Sequence, residues 1–81
     1  MTLFMTLLDC PLGASRRIQG LDLPLELARR LEALGLIAGS PVEVLRKKRR
    51  GAMIITVRGT RFAVGRDIAA HITVREDEHG K

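Results

Sequence analysis

The residues able to do chemistry are few in this 81-residue chain, and they lie far apart. The histidines are His71 and His79, and the single cysteine is Cys10. No nucleophile stands beside a base. Asp67 and His71, four positions apart, would share one side of a helical turn and are the best metal candidates. Two ligands fall short of the four that close a zinc site, and an octahedral ferrous site would need several waters or a second chain besides. The expectation is no required cofactor and at most weak binding of Fe(II) or another divalent ion, with His71 a structural residue at a strand entrance. His79 sits with Glu76, Asp77 and Glu78, where surface ligands could pick up adventitious metal. Cys10 can form no internal disulfide and lies at no CxxC or CxxH spacing, which suits a reducing cytoplasm. Gly13, Gly20, Gly35 and Gly39 do not build GxxxxGK[ST], so there is no phosphate loop and any nucleotide hydrolysis belongs to a partner. The chain reads as non-enzymatic.

The strongest chemical signal is charge. Lys and Arg number 14 against nine Asp and Glu, a formal +5. Five of those cations stand together as Arg46-Lys47-Lys48-Arg49-Arg50. As a solvated hairpin tip, such a run keeps the protein in solution and blunts a sheet edge. It could equally meet an acidic protein surface or an anionic leaflet, where each basic side chain contributes about 1 kcal/mol. A nucleic-acid loop is the third reading. It is weakened by the scarcity of rings, because single strands are usually stacked on exposed aromatics and the chain has only two Phe, no Tyr and no Trp. Specific nucleic-acid binding is not expected.

The elements that would carry these residues can be read from periodicity. Residues 7–12 form a turn or helical turn, and residues 16–21 a first strand with Ile18 inward. Asp22 is a plausible N-cap and Pro24 fits a first helical turn. Leu23, Leu27, Leu31 and Leu34 then fall on one helical face, with Glu26, Arg29, Arg30 and Glu32 elsewhere. Gly35 sits where a left-handed cap residue is wanted, and Leu36 can fold back on Leu31. Gly39-Ser40-Pro41 makes a second turn. Strands are predicted over 42–46, 52–58 and 60–64. The basic run forms the tip of the first hairpin and Arg58-Gly59 the turn of the second. Residues 65–70 give one helical turn and 71–75 the last strand. Five short strands in so small a chain favour closure into a barrel, which removes exposed edges. Residues 1–6 are read as a flexible N-terminal extension, 7–75 as one domain and 76–81 as a flexible charged tail. There is no apolar run of transmembrane length.

In this order the chain resembles the FeoA family of small cytosolic proteins associated with bacterial ferrous-iron uptake. The resemblance rests on Arg30-Leu31-Glu32-Ala33-Leu34-Gly35-Leu36 with Gly39, on Val42-Glu43-Val44, and on Val57-Arg58-Gly59-Thr60-Arg61-Phe62-Ala63-Val64. It implies a mainly β, SH3-like barrel of about five strands with one inserted α-helix and a short helical turn before the last strand. It also implies a cytoplasmic accessory role beside the membrane ferrous-iron transporter FeoB, whose cytosolic part this chain would dock on and modulate. The docking residues would be Leu25, Arg29, Arg30, Arg46, Lys47, Lys48, Arg49 and Arg50. Two alternatives remain open: a basic barrel contacting RNA or DNA, and a metal-responsive module like that of iron-dependent repressors. Where such sequences often carry proline in the hairpin tip, this chain carries the basic run.

Overall fold

The computed structural model describes residues 5–48 and 51–76. Its elements are β1 (Met5–Thr6), a 3₁₀ turn (Leu7–Asp9), β2 (Ser15–Leu21), α1 (Leu25–Ala33), β3 (Pro41–Lys47), β4 (Met53–Val57), β5 (Thr60–Val64), α2 (Arg66–Ala69) and β6 (Ile72–Glu76). The six strands form one antiparallel sheet in the order β1-β6-β2-β3-β4-β5. The last strand lies between the first two, so the ladder ties both ends of the domain together.

Each strand follows from its own alternation. In β4, Met53, Ile55 and Val57 are buried while Ile54 and Thr56 are half-buried on the other face. Ile18, Val42, Val44, Val64, Ile72 and Val74 supply the same inner face from the other strands, with Leu7, Cys10, Leu36 and Ala69 filling its ends. Two register shifts, between Ile18 and Gly20 in β2 and between Val44 and Arg46 in β3, each insert one unpaired residue. Such bulges bend a strand and increase its twist, which lets a short sheet curl around one core.

The helix is held by its C-terminus. Leu34 ends it, Gly35 takes φ +111°, and the amides of Gly35 and Leu36 donate to the carbonyls of Glu32 and Leu31, each at 3.0 Å. This pair of bonds satisfies carbonyls that the last turn leaves open. It also aims Leu36 into the core, where it is fully buried. The junction then continues into the sheet. Gly39 donates to the Ile18 carbonyl at 2.7 Å, and the Ile18 amide donates to the Ser40 carbonyl at 2.9 Å.

The structure corrects several expectations. Pro24, not Asp22, is the N-cap, and its carbonyl accepts the first helical bond, from Ala28 at 2.9 Å. Asp22 instead donates its amide to the His71 carbonyl, so it belongs to the end of the β2–β6 ladder. Leu34 is 57% exposed and does not join the core face. The chain reverses at Gly35, so Leu36 takes the inward place. Met5 and Thr6, assigned to a flexible extension, pair with Val74 and Thr73 as a sixth strand. Glu76, assigned to the tail, pairs with Arg16. Finally, strand pairing does not close the barrel among the described residues: β1 and β5 stand at opposite edges. The rest of the proposed extension and tail lies outside the described residues.

Replacing Gly35 by alanine tests the cap. An added Cβ would meet only a Val57 methyl carbon at 4.0 Å, so crowding is absent and the cost is that of the backbone conformation. The expected loss is about 1 to 2 kcal/mol in urea denaturation, with the native spectrum retained.

Candidate functional site

On α1, Leu25 is 65% exposed, and Arg29 and Arg30 are exposed as well. Buried Ala28 and half-buried Leu27 and Leu31 face the sheet, because residues three and four apart stack on one side of a helix. By the same spacing Leu25 with Arg29 and Arg30 with Leu34 form two flanks of the outer arc. Ile37, just past the cap, is 38% exposed and adds to the apolar surface at that end.

At the other end of β3, Arg46, Lys47 and Lys48 are exposed, and Arg49 and Arg50 lie outside the described residues. The Lys47 ammonium donates to the Leu8 carbonyl at 3.4 Å, holding this strand end over the 3₁₀ turn. The connection from α1 enters β3 at Pro41 and the basic tip leaves it at Lys47. Seven residues of strand at about 3.3 Å each separate the two by roughly 20 Å. The helix and the tip are therefore two surfaces and not one patch.

Two basic residues that sequence reasoning did not select join the tip. Register places Arg46, Ile54 and Ala63 in one row across β3, β4 and β5. The open cleft over that row, about 390 Å³, is lined by Arg46, Lys48, Ile54, Arg61, Phe62 and Ala63. Three cations thus surround an apolar floor with no carboxylate among the lining residues. On the other side of the tip, Lys47, Lys48 and Arg66 border a second open hollow of about 310 Å³, floored in part by Met53. Pairing residue 54 with residue 63 from the Arg58-Gly59 turn would have revealed Arg61. Arg66 could not be placed without the packing of α2.

The two metal candidates are joined through the backbone of α2. His71 is exposed, and its Nδ1–H donates to the backbone carbonyl of Asp67 at 2.8 Å, not to the carboxylate. This bond places the proton on Nδ1 and ties the ring to the turn after α2. No group of three or more His, Cys, Asp or Glu suited to a metal occurs among the described residues. His79 lies outside them. Cys10 is fully buried, with its thiol toward the Thr6 carbonyl at 3.7 Å. Burial pushes this thiol above its ordinary range, while the positive charges of Arg16 and Lys47 pull the other way and Asp9 adds a smaller upward push.

Strand order, the helix inserted between β2 and β3, and a core built almost wholly of aliphatic side chains define a small SH3-like β domain. No helix among the described residues is long and apolar enough to cross a membrane. The FeoA domain model matches residues 5–76, and the chain belongs to that family. A protein of Methanocaldococcus jannaschii named for Fe(2+) transport, as transport protein A, is 36% identical over 52 residues, which are 64% of this chain and 62% of that relative. The match therefore spans less than two thirds of the relative's length. The zinc-complexed FeoA of Stenotrophomonas maltophilia, described as a prokaryotic SH3 domain protein, is 32% identical with a TM-score of 0.75, covering 93% of this chain and 92% of that one. A manganese-dependent transcriptional repressor shares the fold alone, at 18% identity and a TM-score of 0.84, over 95% of this chain and 44% of its own.

The buried thiol makes a prediction about pH. Above the ordinary thiol range the unfolded chain has released this proton while the folded protein still holds it, so folding stability falls as pH rises there. Below that range the group contributes nothing to the slope. Urea denaturation between about pH 7 and about pH 10 should show the wild type losing stability relative to Cys10→Ala as pH increases. At neutral pH the variant should be the less stable, by about 1 to 2 kcal/mol. Iodoacetamide should label Cys10 only at the rate of unfolding.

Proposed function

We propose that this chain is a non-enzymatic cytoplasmic accessory protein of ferrous-iron uptake, which docks on the cytosolic part of the membrane transporter FeoB and modulates it. The observation that carries this reading is the family match across residues 5–76, a range that contains every described residue. The relatives named for Fe(2+) transport and FeoA support the same assignment. The surface agrees with a docking role. Leu25 is a large apolar side chain left 65% exposed on a helix whose neighbouring Arg29 and Arg30 are also free of the core. An apolar anchor rimmed by arginines is a common composition for the centre of a protein–protein contact.

In this reading α1 makes the primary contact, through Leu25, Arg29 and Arg30. Arg46, Lys47 and Lys48 lie at the other end of β3, and the basic run they begin, which continues in sequence through Arg49 and Arg50, would reach a separate part of the partner or the anionic leaflet beside it. The tip would then set the approach rate and its salt dependence, while the helix would set the lifetime of the complex. Metal contact is weak and falls to His71 and Asp67, with iron passing through the transporter and not through this chain.

The test is a titration of the purified protein against the cytosolic domain of its host's ferrous-iron transporter, at low and at physiological salt. Saturable binding at both salts is expected. Leu25→Ala should weaken it by about tenfold or more, mainly through faster dissociation. Charge reversal at Lys47 and Lys48 should slow association and flatten the salt dependence. Absence of binding at both salts would overturn the docking reading.

A further inference from the structure

The outer edge of β5 is bare. β5 pairs with β4 from Val57↔Thr60 to Met53↔Val64, and no strand lies on its other side among the described residues. Which backbone groups this leaves open follows from the turn. Arg58 and Gly59 both take positive φ, +53° and +84°, the signature of a two-residue type I′ hairpin. Such a turn is closed by a hydrogen-bonded pair, here Val57 with Thr60. Hydrogen-bonded and non-hydrogen-bonded pairs then alternate along an antiparallel ladder. Phe62 and Val64 therefore spend their amides and carbonyls on β4, whereas those of Arg61 and Ala63 point away from it. Neither residue makes another backbone hydrogen bond among the described residues.

The side chains beside this edge are selective. Arg61 and Ala63 project onto the outer face, toward the cleft that Arg46 and Lys48 also line over Ile54 and Phe62. A strand added along β5 would place alternate side chains directly opposite Arg61 and Ala63, on that same face. Carboxylates at those positions would meet three cations in a cleft that no acid lines, the nearest acid by register being Glu43, two strands in from the edge in the Arg61 row. A second copy paired along β5 would instead bring two such basic clefts onto one face with no carboxylate between them, and like charges in neighbouring positions destabilise a ladder.

We propose that β5 accepts an acidic, extended polypeptide segment as a seventh strand, with the backbone of Arg61 and Ala63 providing the ladder and Arg46, Lys48 and Arg61 reading the carboxylates. Main-chain bonds supply affinity in this mode, and the alternating side chains supply specificity. The proposal is independent of iron transport and of the helix surface. Arg46 and Lys48 are shared with the basic tip, but the edge itself and Arg61 are used in no other reading.

The experiment uses the full chain, isotopically labelled, titrated with a synthetic peptide of about nine residues that alternates Glu and Val, and with its Lys–Val counterpart. The Glu–Val peptide should bind saturably and slow the hydrogen exchange of the Arg61 and Ala63 amides, leaving the Phe62 and Val64 amides unchanged. Arg46→Glu combined with Arg61→Glu should weaken binding by at least about tenfold. Ala63→Pro, which removes an outward donor and no bond to β4, should abolish edge binding; its fold is checked from the dispersion of its spectrum, and the charge-reversal pair stands as the test if that variant unfolds. Three results would overturn the proposal: no saturable binding of the Glu–Val peptide, equal binding of the Lys–Val peptide, or binding that leaves the exchange of Arg61 and Ala63 unaltered. The last would show that the cations attract acid without a strand being added.

Discussion

The structure depends on one hydrogen-bonded junction, where the chain leaves α1 and enters the sheet. The amide of Leu36 reaches back to the Leu31 carbonyl, and the amide of Ser40 reaches back to the Ile37 carbonyl, each at 3.0 Å. Two successive turns are thereby closed before Gly39 and Ser40 exchange bonds with Ile18. The Arg17 guanidinium adds a bond to the Gly39 carbonyl at 2.7 Å. Few other contacts fix the helix, whose outer arc is solvent-exposed and whose inner side is only partly covered. Its position is set by where its last carbonyls are satisfied, with Leu36 as the buried anchor. Because a nine-residue helix is marginal in isolation, this anchoring keeps α1 ordered while leaving Leu25 and Leu34 free.

The consequences for the sheet are asymmetric. Among the described residues the edge at β1 is two residues long, and it is backed by the 3₁₀ turn that buries Leu7 and Cys10. The edge at β5 is five residues long and carries no such cover among the described residues. Small β domains suppress unwanted pairing by shortening edges or by charging them. This chain does the second at β5, where Arg61 stands on the edge strand and the basic end of β3 reaches the same face two strands away. The Leu45 bulge bears on this. By inserting one residue after Val44, it puts Arg46 opposite Ile54 and so on the outer face beside Ala63.

Much of this was legible in the residues. The Gly35 cap, the burial of Ile18, the alternation of β4, the Arg58-Gly59 turn and the family resemblance all arise from local rules, in which a side chain's type determines its backbone state or its face. What was missed depends on partners distant in sequence. Met5 and Thr6 have no strand signal of their own and become β1 only because β6 offers an edge. Asp22 is an acceptable cap by type, yet its amide is taken by His71, so the helix begins later, at Leu25. Leu34 has the right spacing for the core, but spacing does not reveal that the chain turns at Gly35 and sends Leu36 inward in its place. Open or closed pairing of the sheet could not be read either, because it is a property of two edges and not of any segment. Arg61 went unselected for the same reason, since its neighbours Arg46 and Lys48 are assembled by register. The candidate site was thus legible as a list of charges and not as a geometry.

This division bears on how so small a domain can be specific. The two clefts described are open, so recognition falls to the perimeter, which is laid out along β3: an apolar, arginine-rimmed helix at one end, a basic tip at the other, and an open edge running beside it two strands away. Two weak contacts separated by the length of a strand can act as one strong contact only on a partner that presents both complements at that spacing, because the second binding step then becomes intramolecular. Charge alone would attract any acidic surface, and an exposed leucine alone would attract any apolar one. Requiring both at a fixed separation excludes most surfaces that satisfy either. The separation is fixed in turn by the Gly35 cap and the Ile18 bonds at the start of β3, so on the docking reading residues that touch no partner would still help to set specificity.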